Sequence, residues 1–376
     1  MSERDTLKFN LDQIQQKARE RTVKTQNVEY DLETLTKRIA KGSIRLDPEY
    51  QRRHRWSEET SSRLVESLIL NIPIPVIFIS QDIDVDEETD EATARYTVID
   101  GQQRLTAIYE FMRGGYALSG LEVLAELNDS YYKDLPPFLV RRLEERTVKC
   151  LRIDSTVDAQ VKYDIFERLN TGSVKLEPQE LRNAIARGPF NDEIKELAKD
   201  QNFRRCIRVD LKDPDNSAKV KKMEDVELVL RFFALRGTGY TELKKGFRYH
   251  LTSKLNEFNN LEKARIEKNA IEFRSYMQFF ASLKSGTPFA KFAIVDTELK
   301  QVSSFNAAVY DAISIGVANT VSPHQLTTNR DAIAEKVIAL RELFSDQTFS
   351  AAVSGSVNDA QKVKTRVEMV AARMTV

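Results

Sequence analysis

Between Arg95–Ile99, which has the residue types of a strand, and Leu105, Ile108, Tyr109 and Met112, spaced as one face of a helix, the chain reads Asp100-Gly101-Gln102-Gln103-Arg104. That is a place where chemistry can sit. A glycine lets the backbone turn sharply and lets a ligand come close. The helix that follows offers unpaired N–H groups and the positive end of its dipole, a natural anion site. Arg104, in the first turn, could clamp a phosphate with its planar fork of donors. Asp100 could hold Mg2+ by way of water, and Gln102 or Gln103 could orient an attacking water. A plainer reading fits the same residues: Asp100 and Gln103 have the spacing of a capping box, with Gly101 as a turn residue. Spacing alone leaves both open.

Two further clusters accompany it. Gln51-Arg52-Arg53-His54-Arg55-Trp56 gathers cations beside an indole. Arg52, Arg53 and Arg55 could meet phosphates while Trp56 stacks on a base. The alternative is a solvated loop with Tyr50 and Trp56 as core anchors. In Phe166-Glu167-Arg168-Leu169-Asn170-Thr171-Gly172 and Leu176-Glu177-Pro178-Gln179-Glu180-Leu181-Arg182-Asn183, a helix end and a turn could deliver Arg168, Asn170, Gln179 and Arg182 to a cleft. Equally, Asn170–Gly172 could be a helix C-cap and Pro178 the first residue of a helix.

Other chemistries find no pattern. There is no G-x-x-x-x-G-K-[ST] loop and no G-x-S-x-G elbow, and Gly237-Thr238-Gly239 lacks the third glycine of a dinucleotide fingerprint. His54, His250 and His324 are isolated from one another. Cys150 and Cys206 belong to no Cys-x-x-Cys pair and are read as reduced core residues.

The elements that must position these groups follow from periodicity. The chain has 376 residues, with 57 Lys and Arg against 57 Asp and Glu, 41% hydrophobic and 30% charged. This is globular composition, enough for two or three domains, and the zero balance argues against coating nucleic acid by bulk charge. No apolar run is long enough to span a membrane, and the charged N-terminus points to the cytoplasm. Residues 1–29 are expected to be a loose arm or a marginal helix. From residue 30 the pattern predicts a helix over Leu32–Ile39, a short strand at Ile44–Leu46, and a helix capped by Ser57. Strands follow at Val76–Ile79, Arg95–Ile99 and Thr147–Ile153, with Asp82–Glu91 as an acidic hairpin loop. After Asp154 the periodicity is helical: around Val161–Leu169, then Pro178–Ala186, Glu224–Leu235, Leu255–Leu283, Asp331–Phe344 and Asp359–Arg373. The expectation is an α+β chain with a small α/β domain over 30–155 and a mostly helical domain over 156–376.

The three motifs, in this order, resemble the N-terminal domain of the GmrSD-type modification-dependent restriction systems, closely over Tyr30–Asn183 and more loosely beyond. The resemblance implies a ParB/sulfiredoxin-like fold with the Asp-Gly-Gln-Gln-Arg turn as a nucleotide-phosphate site. Members of the family bind and often hydrolyse nucleoside triphosphates and couple this to nuclease action on modified DNA. Carried over, the site comprises Asp100, Gly101, Gln102, Gln103 and Arg104, flanked by Gln51, Arg52 and Arg53, with Arg168, Asn170 and Arg182 as weaker members. Sulfiredoxin chemistry is not implied, because glutamines stand where that enzyme keeps its cysteine. No His-Asn-His-type pattern occurs in these residues. The expected role is therefore an NTP-dependent sensor or regulatory component that uses Mg2+, meets DNA, and works with a separate nuclease subunit. Homo-oligomerisation is left open. A DNA-binding module without hydrolysis, a ParB-like metal-dependent nuclease and a purely structural subunit are the alternatives.

Overall fold

The computed structural model describes residues 24–46, 56–85, 92–154, 159–169, 177–283 and 288–375. The chain divides into two compact units between residues 176 and 177, later than the boundary expected after residue 155. It is a mixed α/β chain, a small sheet followed by a mostly helical region.

The first unit is built on a five-stranded sheet: β1 (Thr25–Asp31), β2 (Ile44–Arg45), β3 (Ile77–Val85), β4 (Ala92–Asp100) and β5 (Thr147–Ile153), in the order β1-β5-β3-β4-β2. β3 lies parallel to β5 and antiparallel to β4, so its Ile77 and Ile79 are fully buried. Four helices accompany it: α1 (Leu32–Ala40), α2 (Glu58–Ile69), α3 (Gln102–Met112) and α4 (Pro137–Glu144). Ser57 caps α2 by accepting from the Thr60 N–H, as its residue type implies. Leu68, Leu105, Ile108 and Phe111 then close the core between α2, α3 and the sheet. A fifth helix, α5 (Ala159–Leu169), packs against β4.

Two expectations need correction here. Thr25–Asp31, expected within or beside a loose arm, is an edge strand paired antiparallel with β5 from Thr25↔Ile153 to Asp31↔Thr147. Its inward face is carried only by Val28 and Tyr30, too few to announce a period of two. The acidic stretch is also less of a loop than expected. β3 runs on to Val85, paired antiparallel with β4 from Asp82 opposite Arg95 to Val85 opposite Ala92. Residues 86–91 lie outside the described part.

The second unit contains α6 (Pro178–Ile185), α7 (Pro189–Leu197), α8 (Gln201–Cys206), α9 (Glu224–Leu235), α10 (Phe247–Asn259), α11 (Lys263–Ala281), α12 (Ala307–Thr320), α13 (Arg330–Ala339) and α14 (Ala360–Thr375). α9 and α12 form the centre and are buried on nearly every face. An all-round apolar helix carries no stripe, which is why α12 escaped the periodicity argument. α14 crosses α12 at Gly316, where a Cβ would stand 2.5 Å from Val370 Cγ1. The single long helix expected over Leu255–Leu283 is two. The side chain of Asn259 turns away to donate to the Ala186 carbonyl and accept from the Asn191 N–H, both at 2.9 Å. A hairpin, β6 (Lys291–Val295) with β7 (Glu298–Ser303), was not anticipated. Its turn holds Asp296 and Thr297 at φ 51° and 69°, a type I′ geometry without the usual glycine. Both cysteines are buried and free as expected; burial pushes the Cys150 thiol up to about 11 and Cys206 to about 12.

A chain of charges runs through this unit. Arg182 Nη1 meets Glu227 Oε2 at 2.8 Å, and Arg231 Nη1 stands 3.8 Å from Glu227 Oε1. Arg231 Nη2 meets Asp311 Oδ2 at 3.2 Å, and Arg366 Nη2 meets the same oxygen at 2.6 Å. Burial pushes the Glu227 carboxyl up, but Arg182 and Arg231 outweigh it and hold its pKa below the usual value. A carboxylate with a depressed folded pKa contributes stability above its unfolded value, about 4.3, and that stability is lost as pH falls through the folded pKa. Urea unfolding midpoints are expected to fall as pH drops below about 4.3, and Glu227→Gln is expected to flatten that slope. Equal slopes in the two proteins would remove Glu227 from the acid response.

Candidate functional site

β4 ends at the Asp100–Arg104 segment, and its last residues are bent before they arrive. Phe78 pairs with Asp100 but Ile79 pairs with Val98, so Ile99 is an extra residue, a bulge that re-aims the strand end. Gly101 follows in the left-handed region at φ 94°, ψ 11° and is the N-cap of α3. Nothing else fits there. A Cβ would stand 2.9 Å from Ile77 Cγ1 and 3.3 Å from Arg104 Nη2, on a backbone that L-residues rarely adopt.

The capping-box reading is overturned. Among the described residues, no side chain caps α3. Asp100 turns its Oδ2 to Arg104 Nη2 at 2.6 Å, and Gln103 turns its Oε1 to the Trp56 N–H at 3.2 Å. The Gln103 and Arg104 amides, which have no intrahelical acceptor by geometry, carry no side-chain cap among the described residues. Gln103 Nε2 is buried and has no hydrogen-bond partner among the described residues. Trp56, Gln103, Thr106, Glu110 and Tyr116 help line a small cleft of about 20 Å³, room for a single water. Trp56 itself is half-buried.

Arg104 does something other than what spacing suggested. Its Nη1 donates to the Pro75 carbonyl and, at 3.4 Å, to the Val76 carbonyl, while Nη2 holds Asp100. The side chain is only 11% exposed. It fastens the strand–turn–helix to the segment entering β3, so it positions the turn. Arg104→Ala is expected to cost about 1–3 kcal/mol of stability, the scale of hydrogen bonds from a charged donor. Equilibrium urea unfolding checks this, and a cost below about 0.5 kcal/mol, the scale of an ordinary surface change, would contradict it.

Asp100 keeps one oxygen, Oδ1, that accepts no hydrogen bond among the described residues. Mg2+ takes most of its ligands from water and phosphate and needs only one or two carboxylates, so this residue fits it as a single protein ligand. Among the described residues, no group of three or more His, Cys, Asp or Glu side chains converges as a metal cluster would.

The structure brings together Asp100, Gly101, Gln102, Gln103, Arg104 and Trp56. Gln102 is buried, and its carbonyl accepts from Thr106 Oγ1 at 2.9 Å. Arg168 is exposed near the end of α5, in the same unit. Arg182 and Gln179 are core residues, contrary to the cleft reading. Each is 1% exposed, and Arg182 donates to Gln179 and Glu227 in the second unit. Gln51, Arg52, Arg53, Arg55 and Asn170 lie outside the described residues. His250 Nε2 contacts the Ala234 carbonyl at 2.9 Å in the helical core, and burial lowers its pKa. The Pro75 and Val76 carbonyls and the β4 bulge were missed. The two prolines before β3 were the only signal of an extended entry whose carbonyls would seek a donor.

Residues 32–187 match the family model described as the GmrSD restriction endonuclease, N-terminal domain. No curated protein matches the chain. Among the described residues, no helix is long and apolar enough to cross a membrane.

Proposed function

Because residues 32–187 match the model of the GmrSD restriction endonuclease N-terminal domain, we propose that the chain is the NTP-binding and NTP-hydrolysing sensor of a DNA-targeting, restriction-like system, with nuclease action supplied in trans. The observation that carries this reading is the start of α3, a glycine-hinged strand end whose following helix has no side-chain cap. A phosphate can accept from the first-turn amides of Gln103 and Arg104, where no side-chain cap competes among the described residues. Gln103 adds a buried donor that has no partner among the described residues, suited to a phosphate oxygen or to an attacking water. Arg104 keeps the turn in place from the side of β3. Mg2+, when bound at Asp100, would neutralise phosphate charge. The basic run Arg52, Arg53 and Arg55 precedes Trp56, whose amide is bonded to Gln103, and this supports contact of the same region with nucleotide or DNA. Catalysis of this kind is positioning and charge stabilisation.

Trp56 is the single tryptophan of the chain, so its emission reports this region. Titration with ATP or GTP and Mg2+ is expected to change that emission. Gln103→Glu keeps an oxygen for the Trp56 N–H and replaces the buried donor with a negative group. It is expected to weaken nucleotide binding at least about tenfold, or about 1.4 kcal/mol. An unchanged affinity would take Gln103 out of the site. DNA binding that falls steeply with salt and ignores nucleotide would favour the non-hydrolysing DNA reader instead.

A further inference from the structure

A cavity in the helical unit is remote in sequence from the Gly101 turn and has its own chemistry. It encloses about 550 Å³ between the C-terminal end of α9, the loop that follows it, α10 and α11, within the range of small-molecule sites. Its charges do not cancel. Arg236 is held by Glu272 at 2.6 Å and Lys254 by Glu242 at 3.0 Å. Arg265 and Lys268 also line the cavity, are exposed, and pair with no carboxylate among the described residues. Two cations are therefore left over in a protein whose total charge is zero.

The placement of these groups follows from helical spacing. Arg265, Lys268, Asn269 and Glu272 fall on one face of α11, while Ile266, Ala270, Phe273 and Met277 take the core side. Asn269 is half-buried, and its amide has no hydrogen bond among the described residues. The facing loop is fixed before any ligand arrives. The Gly237 N–H donates to Asn319 Oδ1 at 2.8 Å, and Asn319 Nδ2 returns a bond to the Gly237 carbonyl at 3.2 Å. Gly239 presses so close to α9 that a Cβ would lie 2.1 Å from the Ala234 carbonyl. Phe233, Ala234, Phe258 and Ala318 give the cavity an apolar floor.

We propose that this cavity is a second ligand site, binding a phosphorylated small molecule with a flat apolar body, the chemistry of a nucleotide. Arg265 and Lys268 take the phosphate as charge-assisted donors, Asn269 hydrogen-bonds the polar edge, and the phenylalanine floor covers the flat face. The site uses residues of the second unit alone and does not depend on the reading of the Gly101 turn.

Calorimetric titration of the full chain with AMP, adenosine and inorganic phosphate tests it. AMP is expected to bind more tightly than inorganic phosphate, and adenosine not measurably. The pair Arg265→Glu and Lys268→Glu, at exposed positions that make no ion pair, is expected to keep the far-ultraviolet dichroism. It is expected to weaken AMP binding at least about tenfold, as loss of charge-assisted contacts implies. Gln103→Glu is expected to leave this binding event intact, which separates it from failure or success at the first turn. The proposal is overturned if the wild-type chain binds no AMP, if the double variant binds AMP as the wild type does, or if AMP binding disappears only in Gln103→Glu. It is equally overturned if the double variant loses only binding to duplex DNA, which would make these cations part of a DNA-backbone surface.

Discussion

Asp311→Ala is expected to destabilise the protein by about 3–5 kcal/mol, because it strands buried positive charge. Asp311 is fully buried, and its Oδ2 receives both Arg366 at 2.6 Å and Arg231 at 3.2 Å. Arg366 is itself fully buried and meets no other carboxylate among the described residues; its remaining Nη1 contacts are the Ala352 and Val357 carbonyls. Arg231 keeps Glu227 at 3.8 Å and Asn358 at 2.9 Å, so it suffers less. Asp311→Asn removes the charge but keeps an acceptor, and its cost should lie between wild type and alanine. Urea unfolding followed by far-ultraviolet dichroism measures all three. A loss below about 1 kcal/mol in Asp311→Ala would mean that water or relaxation rehydrates the guanidinium groups, and that the network does not organise the helical core.

Gly101→Ala is expected to cost about 2–4 kcal/mol and to abolish nucleotide-dependent activity together with the Trp56 response. Two effects add. The left-handed backbone at φ 94° costs an L-residue about 1–2 kcal/mol. The new methyl then crowds Ile77, which is fully buried and cannot retreat, and displaces Arg104 from Asp100. The first turn of α3 should move with them, which is why activity is lost beyond what reduced stability explains. Val at the same position should be worse, since a β-branched side chain tolerates positive φ least. A stable Gly101→Ala protein with full activity would show that the turn has freedom this geometry denies it.

How much of this was legible beforehand varies with the physical signal. Glu224–Leu235, Thr147–Ile153 and the start of α3 were readable because apolar spacing, a terminal glycine or a capping residue marked them. β1 was not, because an edge strand with two inward side chains has almost no period. α12 was not, because a helix buried all round has no stripe. Around Gly101 the residue types made a turn legible, but they could not tell a capping box from an open helix start. Asp100 and Gln103 both had the right spacing, and tertiary partners decided the matter: Arg104 took one and the Trp56 amide took the other. Arg182 was misread for a related reason. An arginine beside a glutamine and an asparagine looks exposed and polar, and only the distant Glu227 shows it to be part of a buried network. Long-range pairing of polar groups leaves no local mark.

The central claim is that the open start of α3 binds and turns over a nucleoside triphosphate. The most direct measurement is phosphate release by the purified chain with each nucleoside triphosphate and Mg2+, with and without DNA, beside Gln103→Glu. The account predicts turnover in the wild-type chain that the variant loses while its dichroism stays the same. Turnover that is equal in both proteins, or absent with every nucleotide and with DNA present, would contradict it.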